Sequence, residues 1–156
     1  MRDSSSLSLS RYDPADLSWL AAMLSDAEDL RLVWPDARHP FDRDQWRETL
    51  TRFPANECYQ IMCDGSAVGH AALLETEEPG VRAVSYLYIE PGFRGRGLGL
   101  DLMRAVETQA RTQGHVRALR LRVRSYNPRA QHVYRQAGFR EVQREGTLIT
   151  MRKELE

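Results

Sequence analysis

The chain has 156 residues, enough for one domain of ordinary size, and its 42% hydrophobic and 28% charged content exclude disordered, collagen-like and disulfide-scaffold classes. A net charge of zero, 22 basic residues against 22 acidic, argues against nucleic acid as the main partner. No apolar run approaches the ~20 residues of a membrane span, and the first six residues lack the apolar core of a signal peptide, so a cytoplasmic protein with no membrane partner is expected.

Leu7 and Leu9 alternate with serines, predicting a short strand. Asp13-Pro14-Ala15-Asp16 predicts a helix start, with Asp13 as cap and Leu17, Leu20, Ala21 and Leu24 on one face to about residue 26. A loop carrying Trp34, Pro35, His39 and Pro40 follows, then a short helix over 42–50. Residues 58–63, the turn Asp64-Gly65 and residues 67–76 predict a hairpin; a second turn at 77–80 leads into a strand over 81–89. A glycine-rich stretch and a helix come next, running to about Gln113 and closed by Gly114. A strand over 118–124, a helix over 128–137 and two strands at 139–144 and 147–153 finish the chain. The order β-α-α-β-β-β-α-β-α-β-β predicts one α/β domain over residues 1–156, with helices packed on a mixed sheet.

Cys58 and Cys63 lie five apart in one predicted strand, on opposite faces, so buried free thiols are expected. His70, His115 and His132 have no metal-ligand spacing, and no metal is predicted. Residues 13–48 hold nine acids against four arginines, whereas 117–144 hold eight arginines against Glu141 alone; this arginine-rich stretch is the one hint of nucleic-acid binding. Lys153 is the only lysine, so the cationic groups are almost all planar forks suited to phosphate or carboxylate.

The most informative stretch runs from Tyr86 to Leu100, where a strand ends at Pro91 and a helix begins among glycines. Unpartnered N–H groups at a helix N-terminus attract phosphate, and glycines let the backbone approach it closely. The P-loop pattern is absent, since no Gly-Lys pair occurs, and a Rossmann spacing fails at Leu100 and Leu102. The spacing that fits is Arg94-x-x-Gly97-x-Gly99. About 30 residues on, Asn127 precedes Pro128 as a helix cap, and Ala130, Val133, Tyr134 and Ala137 share an apolar face. A phenol at a cleft edge can protonate a departing anion.

These two stretches resemble the GCN5-related N-acetyltransferases. Arg94-x-x-Gly97-x-Gly99 after Ile89-Glu90-Pro91 is similar to that family's acetyl-CoA pyrophosphate loop, and Asn127-x-x-Ala130-x-x-x-Tyr134-x-x-x-Gly138-Phe139 to its second cofactor motif. The resemblance implies a mixed, mostly antiparallel sheet of six to seven strands with helices on both faces. It implies acetyl transfer from acetyl-CoA to an amine in a ternary complex. Backbone groups of Leu87, Tyr88 and Ile89 would pair with the pantetheine arm beside a splay between central strands. Amides of Arg94, Gly95, Arg96, Gly97, Leu98, Gly99 and Leu100 would hold the pyrophosphate, with the Arg96 guanidinium assisting. Asn127 would contact the cofactor, Tyr134 would protonate the leaving thiolate, and a backbone N–H near Tyr88 would polarise the thioester carbonyl. The resemblance also admits a homodimer.

The match thins at the base. Some relatives carry a glutamate on the strand before the loop, where Ala83 stands here; ribosomal-protein N-terminal acetyltransferases carry one five residues before the asparagine, where Arg122 stands. Glu75, Glu90 and Tyr86 remain, with Glu75 preferred. Trp34 and Trp46 are expected to wall an acceptor pocket. Acids at Asp26, Glu28, Asp29 and Asp36 suit a polycationic acceptor, whereas the row Arg120, Arg122 and Arg124 suits one bearing a carboxylate. The expected acceptor is a small-molecule or amino-acid-like primary amine. Protein lysine or N-terminal acetylation, and a catalytically silent acyl-CoA-binding module, are the alternatives.

Overall fold

A computed structural model of the chain describes residues 7–95 and 97–155. The chain opens with β1 (Leu7–Arg11). The predicted helix from residue 13 starts later. The Asp13 side chain accepts the Ala15 N–H (2.9 Å), making a turn, and α1 covers only Ser18–Met23. A second helix, α2 (Ala27–Val33), occupies part of the predicted loop. Asp26 caps it by accepting the Glu28 N–H (2.7 Å), with Glu28 and Asp29 in the first turn, where carboxylates oppose the positive helix end. Leu17, Leu20 and Leu24 are all buried, as the expected apolar face requires, but α1 is shorter at both ends than residues 13–26. The third helix, α3 (Arg43–Leu50), falls where expected, capped by Asp42.

The strands β2 (Glu57–Cys63), β3 (Ser66–Glu75) and β4 (Val81–Ile89) form the predicted hairpins. A 3-10 turn (Pro91–Phe93) leads to α4 (Leu98–Arg111), then β5 (Ala118–Arg124), α5 (Pro128–Gln136), β6 (Arg140–Glu145) and β7 (Leu148–Glu154). The seven strands form one sheet in the order β1-β2-β3-β4-β5-β7-β6, antiparallel at every step except β4 to β5.

The two faces of the sheet bury separate cores. On one face, Leu102, Met103, Val106 and Ala110 of α4 meet Val84, Leu119, Leu121 and Val123. On the other, Leu20, Leu30, Trp46 and Leu50 from the first three helices meet Cys58, Ala72 and Tyr88. Cys63 joins the first core and Cys58 the second; both are buried free thiols on opposite faces, as their odd spacing requires. Among the described residues no helix is long and apolar enough to cross a membrane.

Candidate active site

The parallel pair β4 and β5 is short. Val81, Ala83 and the residue between them pair with Ala118–Arg120, and no further rung joins the two strands. The remaining six residues of β4 therefore diverge from β5 and leave a wedge. Its closed end is tied by ion pairs from the β3–β4 turn: Glu77 grips Arg120 through two bonds (2.6 and 2.7 Å), and Glu78 pairs with Arg152 (2.9 Å) and Arg117 (2.9 Å). Beneath them the buried Arg82 donates to Gln113 (3.0 Å) and meets His115 (3.0 Å).

Within the wedge β4 carries a bulge. Its register against β3 slips between His70 and Ala72, which pair with Tyr88 and Ser85, and Tyr86 takes a left-handed φ of 52°. The Tyr88 carbonyl lies against Gly69 of β3, so close that a Cβ at residue 69 would stand 2.0 Å from its oxygen. Neighbouring residues of a strand point their N–H and C=O groups to opposite edges. Leu87 and Ile89 thus turn theirs toward the wedge, where no strand receives them, whereas Tyr88 faces β3.

The loop after β4 ends in αL glycines. Gly95 (φ 77°) and Gly97 (φ 75°) hold conformations that side-chain-bearing residues avoid, and Gly97 serves as the N-cap of α4 with no side-chain cap bond. The first N–H groups of α4, from Leu98, Gly99 and Leu100, therefore stand open at its positive end. Gly99 serves a different need. A Cβ there would sit 3.2 Å from the Val133 side chain, so its absence lets α4 close on α5. Arg94 is already engaged: its N–H donates to the Pro91 carbonyl (3.2 Å), its Nε to the Ile89 carbonyl (2.7 Å), and its guanidinium lies 5.3 Å from the Tyr88 ring centre. Arg96 lies outside the described residues.

Asn127 caps α5, accepting the Ala130 N–H (3.2 Å). Gln131, which the sequence reading passed over, is buried and donates its amide to the carbonyls of Arg124, Ser125 and Asn127, fixing how α5 leaves β5. Tyr134 packs against the α4-side core, 6.3 Å from Phe139 between ring centres. Burial pushes its phenol up to about 12, so it holds its proton at neutral pH.

On the other face, Trp34 and Tyr86 meet edge-on and tilted around Trp46, all three ring centres 5.1–5.2 Å apart. Trp46 is 0% exposed, so it backs Trp34 and Tyr86 and cannot itself line a pocket. The acid-rich segment is largely consumed by structure: Asp13 makes a turn, Asp26 and Asp42 cap helices, and Asp44 and Glu48 pair with Arg47 and Arg52. Asp29 accepts the Tyr88 hydroxyl (3.4 Å). Arg120 is held by Glu77 and Arg124 donates to Thr147 (3.1 Å), whereas the Arg122 side chain, exposed on the diverging arm of β5, makes no hydrogen bond or ion pair among the described residues, though its charge acts on Glu77. Glu75 sits at the other end of the bulged pair, opposite Arg82 near the closed end. Its carboxylate accepts the Ala55 N–H (3.0 Å). Among the described residues no group of three or more His, Cys, Asp or Glu could hold a metal.

His70 carried no functional reading in the sequence, yet it is fully buried beside the bulge. Its Nδ1 meets the Tyr86 carbonyl (2.9 Å), its Nε2 meets the Tyr12 hydroxyl (2.6 Å), and its ring stacks on Trp19 at 5.9 Å. A histidine in the apolar run 67–74 was the one available signal.

Residues 20–139 match the model of the Acetyltransferase (GNAT) family. An uncharacterized N-acetyltransferase of Mycobacterium tuberculosis (strain ATCC 25618 / H37Rv) is 38% identical over 77 residues, 49% of this chain and 48% of that protein; the chain thus covers about half the length of the curated relatives it matches. The aminoglycoside acetyltransferase AAC(6')-Ib, solved with coenzyme A, superposes with a TM-score of 0.78 at 21% identity, covering 96% of this chain and 95% of that one. A spermidine N-acetyltransferase from Vibrio cholerae, solved with CoA and spermine, does so at 0.76 and 19% identity, covering 95% of each. These two likenesses establish the fold. With the family model covering most of its length, and a wedge, bulge and glycine loop in sequence along one strand, this chain belongs to the GNAT acetyltransferase family.

Proposed function

We propose that the protein is an acetyl-CoA-dependent N-acetyltransferase acting on the primary amine of a small, amino-acid-like acceptor. The observation that carries this reading is the edge of Leu87 and Ile89 that no strand pairs, its Ile89 carbonyl held by Arg94, which runs along the wedge into the first amides of α4. A pantetheine arm is a chain of amides that such an edge can receive as a missing strand, and a pyrophosphate suits the helix end. The site residues therefore fit acetyl-CoA.

Bound there, acetyl-CoA would supply an activated acyl group as a thioester. Leu87 and Ile89 would hold its arm, with Tyr88 anchoring the strand from behind. Gly95, Gly97, Leu98, Gly99 and Leu100 would offer amides to the pyrophosphate, joined by Arg96, while Arg94 secures the loop. Asn127, its oxygen engaged as a cap, keeps its Nδ2 for the cofactor. The Leu87 N–H would polarise the thioester carbonyl where negative charge develops. Tyr134, protonated at neutral pH, would donate its proton to the departing sulfur. Trp34, backed by Trp46, would wall the acceptor side, and Arg122, exposed on the diverging arm of β5 with the charge of Glu77 acting on it, would meet an acceptor carboxylate. Two carboxylates are candidates for taking the amine proton: Glu75, near the closed end, and Asp29, beside Tyr88.

The first test is thermal unfolding with acetyl-CoA, CoA and ATP. At ~100 times Kd a single ligand adds about 2.7 kcal/mol, roughly 5–11 °C in a domain of this size. A shift with both CoA species and none with ATP is expected; no shift would reduce the glycine loop to a turn and remove the reading. A panel of amino-acid amines, polyamines and lysine peptides then assigns the acceptor. Amino-acid amines should turn over fastest and lose that advantage in Arg122→Ala. Tyr134→Phe should lower kcat at least tenfold with CoA affinity unchanged; a silent module would transfer nothing in either form. Glu75→Gln and Asp29→Asn, compared across pH, assign the proton acceptor.

A further inference from the structure

The Tyr86–Leu87 peptide is where the bulge meets the wedge, and its orientation has a cause outside β4. A trans peptide is planar, with its carbonyl and its N–H pointing in opposite directions. The Tyr86 carbonyl is taken by His70 on β3 (2.9 Å), so the Leu87 N–H is driven the other way, into the wedge. A carbonyl accepts only, so His70 must carry its proton on Nδ1. The ring is buried and held neutral, which leaves Nε2 as an acceptor; Tyr12 fills that role by donating its hydroxyl (2.6 Å). Trp19, stacked at 5.9 Å, and Trp46, edge-on at 6.0 Å, leave the imidazole no room to turn. The left-handed φ of 52° at Tyr86, unfavourable for a residue with a side chain, is what this bond offsets.

We propose that His70 is a positioning residue for acyl transfer: its Nδ1–H, with the tautomer set by the Tyr12 hydroxyl, holds the Tyr86–Leu87 peptide so that the Leu87 N–H points at the thioester carbonyl. This rests on the acetyltransferase reading above, and it adds a device on β3 and the residue just after β1 that the cofactor motifs do not contain. Without the bond, the peptide can rotate its N–H out of the wedge while the rest of the cofactor edge stays in place. The defect should therefore fall on turnover and spare cofactor binding.

The test uses His70→Leu, which removes the donor, and His70→Asn, whose Nδ2 sits close to the place of Nδ1. For each variant, kcat, KM, CoA affinity by calorimetry and the Leu87 amide shift by NMR are measured. In His70→Leu, kcat should fall at least about tenfold, toward the ~100-fold cost of losing an oxyanion donor, with CoA affinity within twofold of wild type. His70→Asn should recover most of the loss. Adding acetyl-CoA should move the Leu87 amide signal in wild type and His70→Asn, and leave it nearly still in His70→Leu. Should His70→Leu fail to fold, Tyr12→Phe keeps the protein whole while releasing the tautomer, and its kcat should fall several-fold at unchanged CoA affinity. Wild-type kcat in a folded His70→Leu or in Tyr12→Phe overturns the proposal, as does a kcat in His70→Asn as low as in His70→Leu. A wild-type protein that neither binds CoA nor transfers acetyl groups overturns the functional reading instead.

Discussion

Gly69→Ala tests the closeness of β3 and β4 most directly. The added Cβ would stand 2.0 Å from the Tyr88 carbonyl oxygen and 3.0 Å from the Ile61 side chain, where real Cβ contacts below 3.0 Å essentially never occur. The obstacle is backbone, so no rotamer change relieves it, and the strands must part by about 1 Å at this rung. Overpacking of this kind costs about 1–3 kcal/mol. At roughly 2–4 °C per kcal/mol for a domain of this size, Tm should fall by about 2–12 °C. Tyr88 lies between the two residues proposed to hold the cofactor arm, so acetyl-CoA affinity should fall as well. Calorimetry or dye-monitored unfolding, with CoA titration, reads both. Gly92→Ala is the matched control, because a Cβ there meets nothing within 4 Å and its φ is not left-handed. If Gly69→Ala melts within about 1 °C of Gly92→Ala, the strands do not approach as described and the account of the bulge falls with it.

Acid should destabilise the protein in two steps. Burial pushes His70 down to about 4, so between about pH 6.5 and 4 the unfolded chain binds a proton that the folded one refuses, and stability falls with pH. Arg120 holds Glu77 down to about 2, so its contribution is present above about pH 4.5 and is lost as pH falls toward 2. Unfolding followed from pH 7 to 2 should show the first step flattened in His70→Asn and the second in Glu77→Gln; parallel curves would refute both assignments. Asn127→Ala should cost about 1 kcal/mol by uncapping α5, a drop of roughly 2–4 °C that Asn127→Ser largely restores. Equal melting of the alanine variant and wild type would show that the cap contributes nothing.

The features legible in the sequence were those written in neighbouring residues. The hairpin strands, the cap at Asn127 and the glycine loop each announce themselves within a few positions, and the strand limits fell within a residue or two. Helix α2, expected as loop, was missed because Leu30 is its only buried residue, so it shows no apolar periodicity for the sequence to reveal. Even there the cap signature at Asp26, with Glu28 and Asp29 behind it, was present to be read. The harder omissions are non-local. Gly69 is a glycine because of Tyr88, 19 residues on; Glu77 and Glu78 matter because of Arg120, Arg117 and Arg152. His70 acquires a role only when a bulge brings the Tyr86 carbonyl to it. No window of sequence contains those pairs.

The short seam between β4 and β5 has a mechanical consequence. One portion of the sheet, β1 through β4, carries the first three helices; the other, β5 through β7, carries α5, and the two backbones are joined directly by a three-residue ladder and by the Gly80 carbonyl at its closed end. The ion pairs at Glu77 and Glu78 rivet that ladder at one end and leave the far end gaping. A molecule lying along the gap would act as a splint, bonding to one portion along its length and to α4 at its tip. Its binding energy would then be spent partly in stiffening the open end of a sheet whose halves are otherwise spanned by the buried face of α4, and the gap should breathe less while the splint is in place.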